Sequence, residues 1–246
     1  MNGSVTYDVD GQVAIVRIKR PEKKNAINRA VAIGLHAAWQ RFNASDERVA
    51  ILAGEGDEAF TSGADLSDLP ELWRCVPGVG VIVDKPIIAA TSGYCIGGGM
   101  ILVQACDLCV AAESTQFVYP EARLGFSGGM IAGMAARVPH KIAMEVMLLG
   151  NPMSAARAYE IGYVNRVVAD GSHIQAALEM ARELAKNAPL VLAMLKRFVC
   201  EQVLPRGPSE LMGAALREVD RINTSDDLRE GIASFREKRK ARFSGR

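Results

Sequence analysis

Twice in this 246-residue chain the hydrophobic pattern passes from strand to helix and back to strand, and that order decides the kind of sheet it can build. In the first passage Val13 to Ile18 alternates as a strand. Asn28 then caps a helix with apolar residues at Val31, Leu35, Ala38, Trp39 and Phe42, and Val49 to Ala53 returns as a strand. In the second, Pro86 to Thr91 runs through a turn at Ser92 to Cys95 into a helix from Gly97 to Cys106, and Leu108 to Ala112 follows. Strand, helix and strand in succession imply a parallel crossover, so the expected fold class is α/β. Upstream, Val5 to Val9 pairs back on the first strand as a hairpin, with Asp10-Gly11 as its turn.

Beyond Met130 strand signals nearly vanish, apart from Val164 to Val168. Helices are expected over Lys141 to Leu149, Ser154 to Ile161, His173 to Lys186 and Leu190 to Leu204, with a helical tail from Ser209 to Phe235. The segment from Leu66 to Val83 is broken by Pro70, Pro77, Gly78 and Gly80 and reads as an irregular substrate loop. With 49% hydrophobic and 23% charged residues the chain can bury a core of one large domain. A net charge of +1 provides no long-range field for nucleic acid or an anionic membrane. No apolar run reaches the roughly 20 residues of a membrane span, and no apolar signal core is visible near the N-terminus. Five cysteines, an odd number without paired zinc spacing, fit a reducing compartment, and the expectation is a cytoplasmic protein without a metal site.

The chemistry sits at two glycine-bearing turns, Ser62-Gly63-Ala64-Asp65 and Gly97-Gly98-Gly99, followed by Pro120-Glu121. Helix N-termini leave N–H groups unpaired, and glycine lets a ligand approach the backbone closely. Two such donors, from Ala64 and Gly98, can hold the charge that builds on a carbonyl oxygen while Glu121 moves the adjacent proton. Each turn alone also reads as an ordinary tight turn, and Glu121 alone as a solvated charge near a loop surface. His36, His140 and His173 are scattered, so a hydrolytic triad has no support.

Seven segments in order extend this reading: RPEKKNAIN (20–28), FTSGADL (60–66), KPIIAATSGYCIGGG (85–99), ACDLCVAAESTQF (105–117), YPEARLG (119–125), AYEIGYVNRVV (158–168) and EGIASFREKRKARF (230–243). Together they resemble the enoyl-CoA hydratase/isomerase, or crotonase, superfamily over nearly the whole chain. The resemblance implies a spiral of repeated β-β-α units over residues 1–190. It implies a helical region over 191–246 that trimerises and covers the coenzyme A site, often in a dimer of trimers. It also implies an acyl-CoA thioester whose oxygen meets the N–H groups of Ala64 and Gly98, with Glu121 as the proton-moving acid. Ala26, Gly63, Asp65, Leu66, Gly97, Ile101, Tyr119, Gly129 and Lys238 would contact substrate. No cofactor beyond the substrate's own coenzyme A is implied.

One position departs from the family pattern. Hydratases of this family use two glutamates, and the first falls here on Ile101, which has no proton to give. That favours isomerase-like proton shuttling by Glu121 over hydration, with hydratase chemistry as the alternative and Gln104 or Tyr119 as candidate substitutes for the missing acid. The loop from Asp65 to Gly97 reads as shorter than in typical members. Arg20, Lys24, Arg236, Lys238, Arg239, Lys240 and Arg242 are candidate contacts for the coenzyme A phosphates. An acyl-CoA-binding or RNA-binding role without catalysis is a further alternative, but the first helix carries only Arg29 and Arg41 as cations over residues 29–43, so no nucleic-acid partner is expected.

Overall fold

In the computed structural model, which describes residues 4–246, Val5–Asp10 (β1) and Val13–Ile18 (β2) form the opening antiparallel hairpin with Asp10 opposite Val13. That register places the two-residue turn at Gly11 and Gln12, one position later than the alternation indicated, and Gly11 takes a left-handed φ of 59°. The helix Arg29–Ala44 (α1) starts where the Asn28 side chain accepts the Val31 N–H at 3.0 Å, and it buries Val31, Leu35, Ala38, Trp39 and Phe42. Burial of side chains the size of Val31, Leu35 or Phe42 is worth roughly 1.5–3 kcal/mol each. Trp39 can sit fully buried because its indole N–H donates to the Cys75 carbonyl at 2.9 Å. Val49–Gly54 (β3) then pairs parallel with β2.

From β3 onward each turn of the chain gives one strand to each of two sheets. Ala59–Thr61 (β4) follows β3; Ile87–Thr91 (β5) and Tyr94–Ile96 (β6) lead into the helix Gly98–Ala105 (α2); Leu108–Ala112 (β7) and Gln116–Val118 (β8) lead into the short helix Glu121–Leu124 (α3). After the helix His140–Leu149 (α4) come Met153–Ser154 (β9), the helix Ala155–Glu160 (α5) and Arg166–Val168 (β10). One sheet runs β1-β2-β3-β5-β7-β10 and the other β4-β6-β8-β9, parallel throughout except for β1–β2 and β8–β9. This is the expected β-β-α spiral. The strand β6 occupies residues expected in a turn, because three residues are too few to show alternation.

Ile51, Ile88 and Val110 pack one face of the large sheet against Ala176, Ala177 and Ala181 of the helix His173–Leu184 (α6), where small side chains allow close approach. The other face meets α1 and α2 around Trp39, Phe42, Phe60 and Phe117. The helical region begins with Pro189–Phe198 (α7), which extends into a wider helical turn at Val199–Val203 and contributes no buried residue of its own. The expected single tail is two helices, Pro208–Asn223 (α8) and Asp226–Glu237 (α9). They separate at Thr224-Ser225, where the Ser225 hydroxyl accepts the Leu228 N–H and starts the second. Among the described residues no helix is long and apolar enough to cross a membrane, and all five cysteines are free thiols.

Candidate active site

Ala64 is aimed by a turn 40 residues upstream of it in the chain. Lys24 and Asn25 both adopt left-handed backbone, with φ of 48° and 55°, a conformation that needs support outside glycine. The support is the Asn25 side chain, 1% exposed, which accepts the Arg20 N–H at 3.0 Å and donates to the carbonyls of Glu55 and Ala59 at 3.0 and 2.7 Å. The chain leaves this turn directly into Ile27, whose N–H donates to Gly63 O at 2.8 Å while Ile27 O accepts from Asp65 N at 2.8 Å. That single parallel bridge uses the carbonyl before Ala64 and the amide after it. The Ala64 N–H therefore points to the opposite side, and among the described residues it has no backbone acceptor.

The turn that holds Ala64 abuts the start of α2. A Cβ added to Gly63, which has a φ of 90°, would lie 2.8 Å from Ile96 O and 3.5 Å from Gly98 N, so the two turns are in direct contact. Gly97 donates to Val118 O at 2.8 Å and turns the chain at φ 52°, making Gly98 the first helical residue. As the first residue of α2, Gly98 has an N–H that no carbonyl within the helix can accept, and the helix dipole favours an anion there. The turns that carry Ala64 and Gly98, 34 positions apart in the chain, thus lie against each other.

Glu121 reaches the same place. A Cβ on Gly97 would sit 2.6 Å from Glu121 Oε1, so the carboxyl lies against the bare α-carbon next to the Gly98 donor. The sequence placed this side chain near a loop surface; it is instead 8% exposed, at the first position of α3, and Oε2 has no hydrogen-bond partner among the described residues. Burial pushes its pKa up to about 7, opposed by a hydrogen bond from its own backbone N–H. An acid that holds its proton near neutrality can both take and return one.

The remaining candidates divide. Asp65 is tied to Ser67 through the Ser67 N–H (3.1 Å) and hydroxyl (2.6 Å) and to Arg20 at 3.2 Å; these hydrogen bonds hold its carboxyl below the usual range. Arg20 also donates to Ala26 O at 2.8 Å and so braces the turn beneath the site, where the sequence offered it as a phosphate contact. Lys24 pairs with Glu58 at 2.8 Å and lies over the Tyr94 ring. Leu66 is exposed beside the site loop, and Ile101, 4% exposed, is packed in the apolar core. Gln104 donates to Met130 O at 3.2 Å and leaves Oε1 unpartnered; it lines a cavity of about 560 Å³ together with Ile101 and Met130, while Gly98 and Glu121 do not. The buried Tyr119 hydroxyl lies 3.2 Å from Ser127 Oγ, which also accepts the Gly129 N–H at 3.1 Å. Lys238 is the exposed left-handed cap of α9, a helix that packs on α8. Its neighbour Arg239 is held by Glu230 at 2.5 and 2.8 Å.

Two residues that shape the site carried no sequence signal. Asn25 sits in the quoted segment 20–28, yet nothing there shows its three hydrogen bonds. Leu72, in a one-turn helix at Leu72–Cys75 within the loop expected to be irregular, packs against Gly98: a Cβ there would lie 3.2 Å from Leu72 Cδ2 and 3.6 Å from Ile27 Cδ1.

Comparison with known proteins adds a family to this geometry. A model of the enoyl-CoA hydratase/isomerase family matches residues 8–75 and 79–246. A carnitinyl-CoA dehydratase of Salmonella heidelberg is 34% identical, with all of both chains covered. Among solved structures, a carnitinyl-CoA hydratase from Mycobacterium avium superposes with a TM-score of 0.79 at 32% identity, covering all of both chains. An enoyl-CoA hydratase from Mycobacterium tuberculosis gives 0.76 at 33% identity, covering 99% of this chain and 100% of that one.

Proposed function

The chain belongs to the enoyl-CoA hydratase/isomerase family, and from that premise we propose that it moves a double bond in an acyl-CoA thioester by proton transfer through an enolate. The thioester oxygen accepts the N–H groups of Ala64 and Gly98. Loss of one such donor typically costs about 3 kcal/mol of transition-state stabilisation, so the pair makes the C2 proton of a bound 3-enoyl thioester removable by a carboxylate. Glu121 takes that proton, the electron pair spreads over the thioester oxygen and C4, and the acid returns the proton to C4 to give the 2-enoyl product. Atoms and charge balance without an added oxidant or cofactor.

The observation that carries this reading is a single buried carboxyl against Gly97, with the buried, apolar Ile101 where the resemblance leads one to expect a second acid. Hydration or dehydration at C3 is the second reading, supported by the names of the relatives. It requires Glu121 to handle the water as well, with Tyr119 and Ser127 as the nearby hydroxyl pair. A panel of 2-enoyl and 3-enoyl thioesters, followed by product identity, separates the two: positional isomers support the first, 3-hydroxyacyl products the second.

The apolar side chains left exposed on the helical region, among them Leu190, Phe198, Met212, Ile222 and Phe235, support assembly with further copies as a trimer or dimer of trimers. Five free thiols support a reducing, cytoplasmic setting.

A further inference from the structure

The geometry points to Leu72 as the residue that restricts bulk on C2 of the acyl group, held in place by α8. This rests on the thioester oxygen binding between Ala64 and Gly98. Leu72 is half-buried, and its two methyl carbons would lie 3.2 and 3.5 Å from a Cβ on Gly98. A side chain packed on one oxyanion donor borders the atoms bonded to the thioester carbon, and of these only C2 carries variable substituents. The site therefore fits acyl groups unbranched at C2.

Leu72 cannot easily withdraw, because its short helix is fastened on two sides. From α1, the His36 ring donates to Arg74 O at 2.9 Å and Trp39 donates to Cys75 O at 2.9 Å. From α8, Asp220 forms an ion pair with Arg74, and Arg217 donates to Val79 O at 2.6 Å. Gly213 packs closely on this segment: a Cβ there would lie 2.4 Å from Val79 Cγ1 and 3.3 Å from Trp73 Cβ. The N-terminal end of the same helix touches the other loop of the site, with Ser209 against Gly129. One helix of the C-terminal region thus braces both the segment carrying Leu72 and the segment following Glu121, although Leu72 and Asp220 are far apart in sequence.

The test is exchange of the C2 proton for deuterium in heavy water, comparing butanoyl-CoA with 2-methylbutanoyl-CoA; neither can isomerise or hydrate. The wild-type protein should exchange the straight-chain thioester faster. Leu72→Ala should raise the branched-to-straight rate ratio by about 10-fold or more, the scale of discrimination a single methyl-sized contact provides. Leu72→Phe should lower it, and Asp220→Ala should raise it by less than Leu72→Ala. A ratio in Leu72→Ala within about two-fold of wild type overturns the assignment. Glu121→Gln in the same assay keeps the two readings apart. If it abolishes exchange while the Leu72 ratio stays flat, only the role of Leu72 fails; if exchange persists, the catalytic reading fails.

Discussion

The Glu121 carboxyl rests on the α-carbon of Gly97, close enough that a methyl group there would lie 2.6 Å from Oε1. Glycine is required twice over at this position, because its φ of 52° is also left-handed. Gly97→Ala should displace the acid from the Gly98 donor and lower kcat by roughly 100-fold or more, the scale of a misplacement of about 1 Å. Steady-state kinetics beside circular dichroism checks it: normal activity in a folded variant would separate Gly97 from the chemistry.

The ionisation of Glu121 should be visible in stability. In the unfolded chain its carboxyl titrates near 4.5 and in the folded protein near 7. Below 4.5 the group is neutral in both states. Between 4.5 and 7 the unfolded chain gives up the proton that the folded one keeps, so this contribution to stability falls as pH rises and is lost above about 7. Wild type minus Glu121→Gln, measured by denaturation across that window, should decline by at most about 3–4 kcal/mol, and by less to the extent that solvent reaches the carboxyl. A flat difference would mean an ordinary, solvated acid. The same titration should make kcat/KM rise with pH through about 7 if the ionised form acts as base.

Asn25→Ala should cost about 2–4 kcal/mol, because it strips the buried carbonyl of Ala59 and the partly buried one of Glu55 of their donor and releases a left-handed turn. Urea denaturation reads the cost. Activity at low denaturant should fall as well, since the turn aims Ala64 through Ile27.

Ile101→Glu should raise formation of 3-hydroxyacyl-CoA from a 2-enoyl thioester while lowering the melting temperature, since an acid enters a core position 4% exposed. Product analysis by mass spectrometry decides it. No gain in hydration would show that this position does not face the reacting carbons.

The parts legible in the sequence were those governed by local rules. The crossovers at β2-α1-β3 and β5-α2-β7 followed from periodicity, and the two glycine-bearing turns that flank Ala64 and Gly98, read separately in the sequence, lie in contact in the fold. What stayed hidden depends on partners distant in the chain. Glu121 is buried by packing that a Pro-Glu pair does not reveal. Arg20 looked free for phosphate until its contacts with Ala26 and Asp65 were visible. The packing of Leu72 on Gly98 and the ties of its segment to α1 and α8 join residues distant in the chain, and β9, with two residues, is too short to have a period.

The most direct test of the central claim is deuterium exchange at C2 of butanoyl-CoA, comparing wild type with Glu121→Gln at matched ligand saturation. The wild type should exchange the proton and the variant should lose about 1,000-fold or more of that rate, with thioester affinity changed only a few-fold. Exchange that survives the substitution would contradict it.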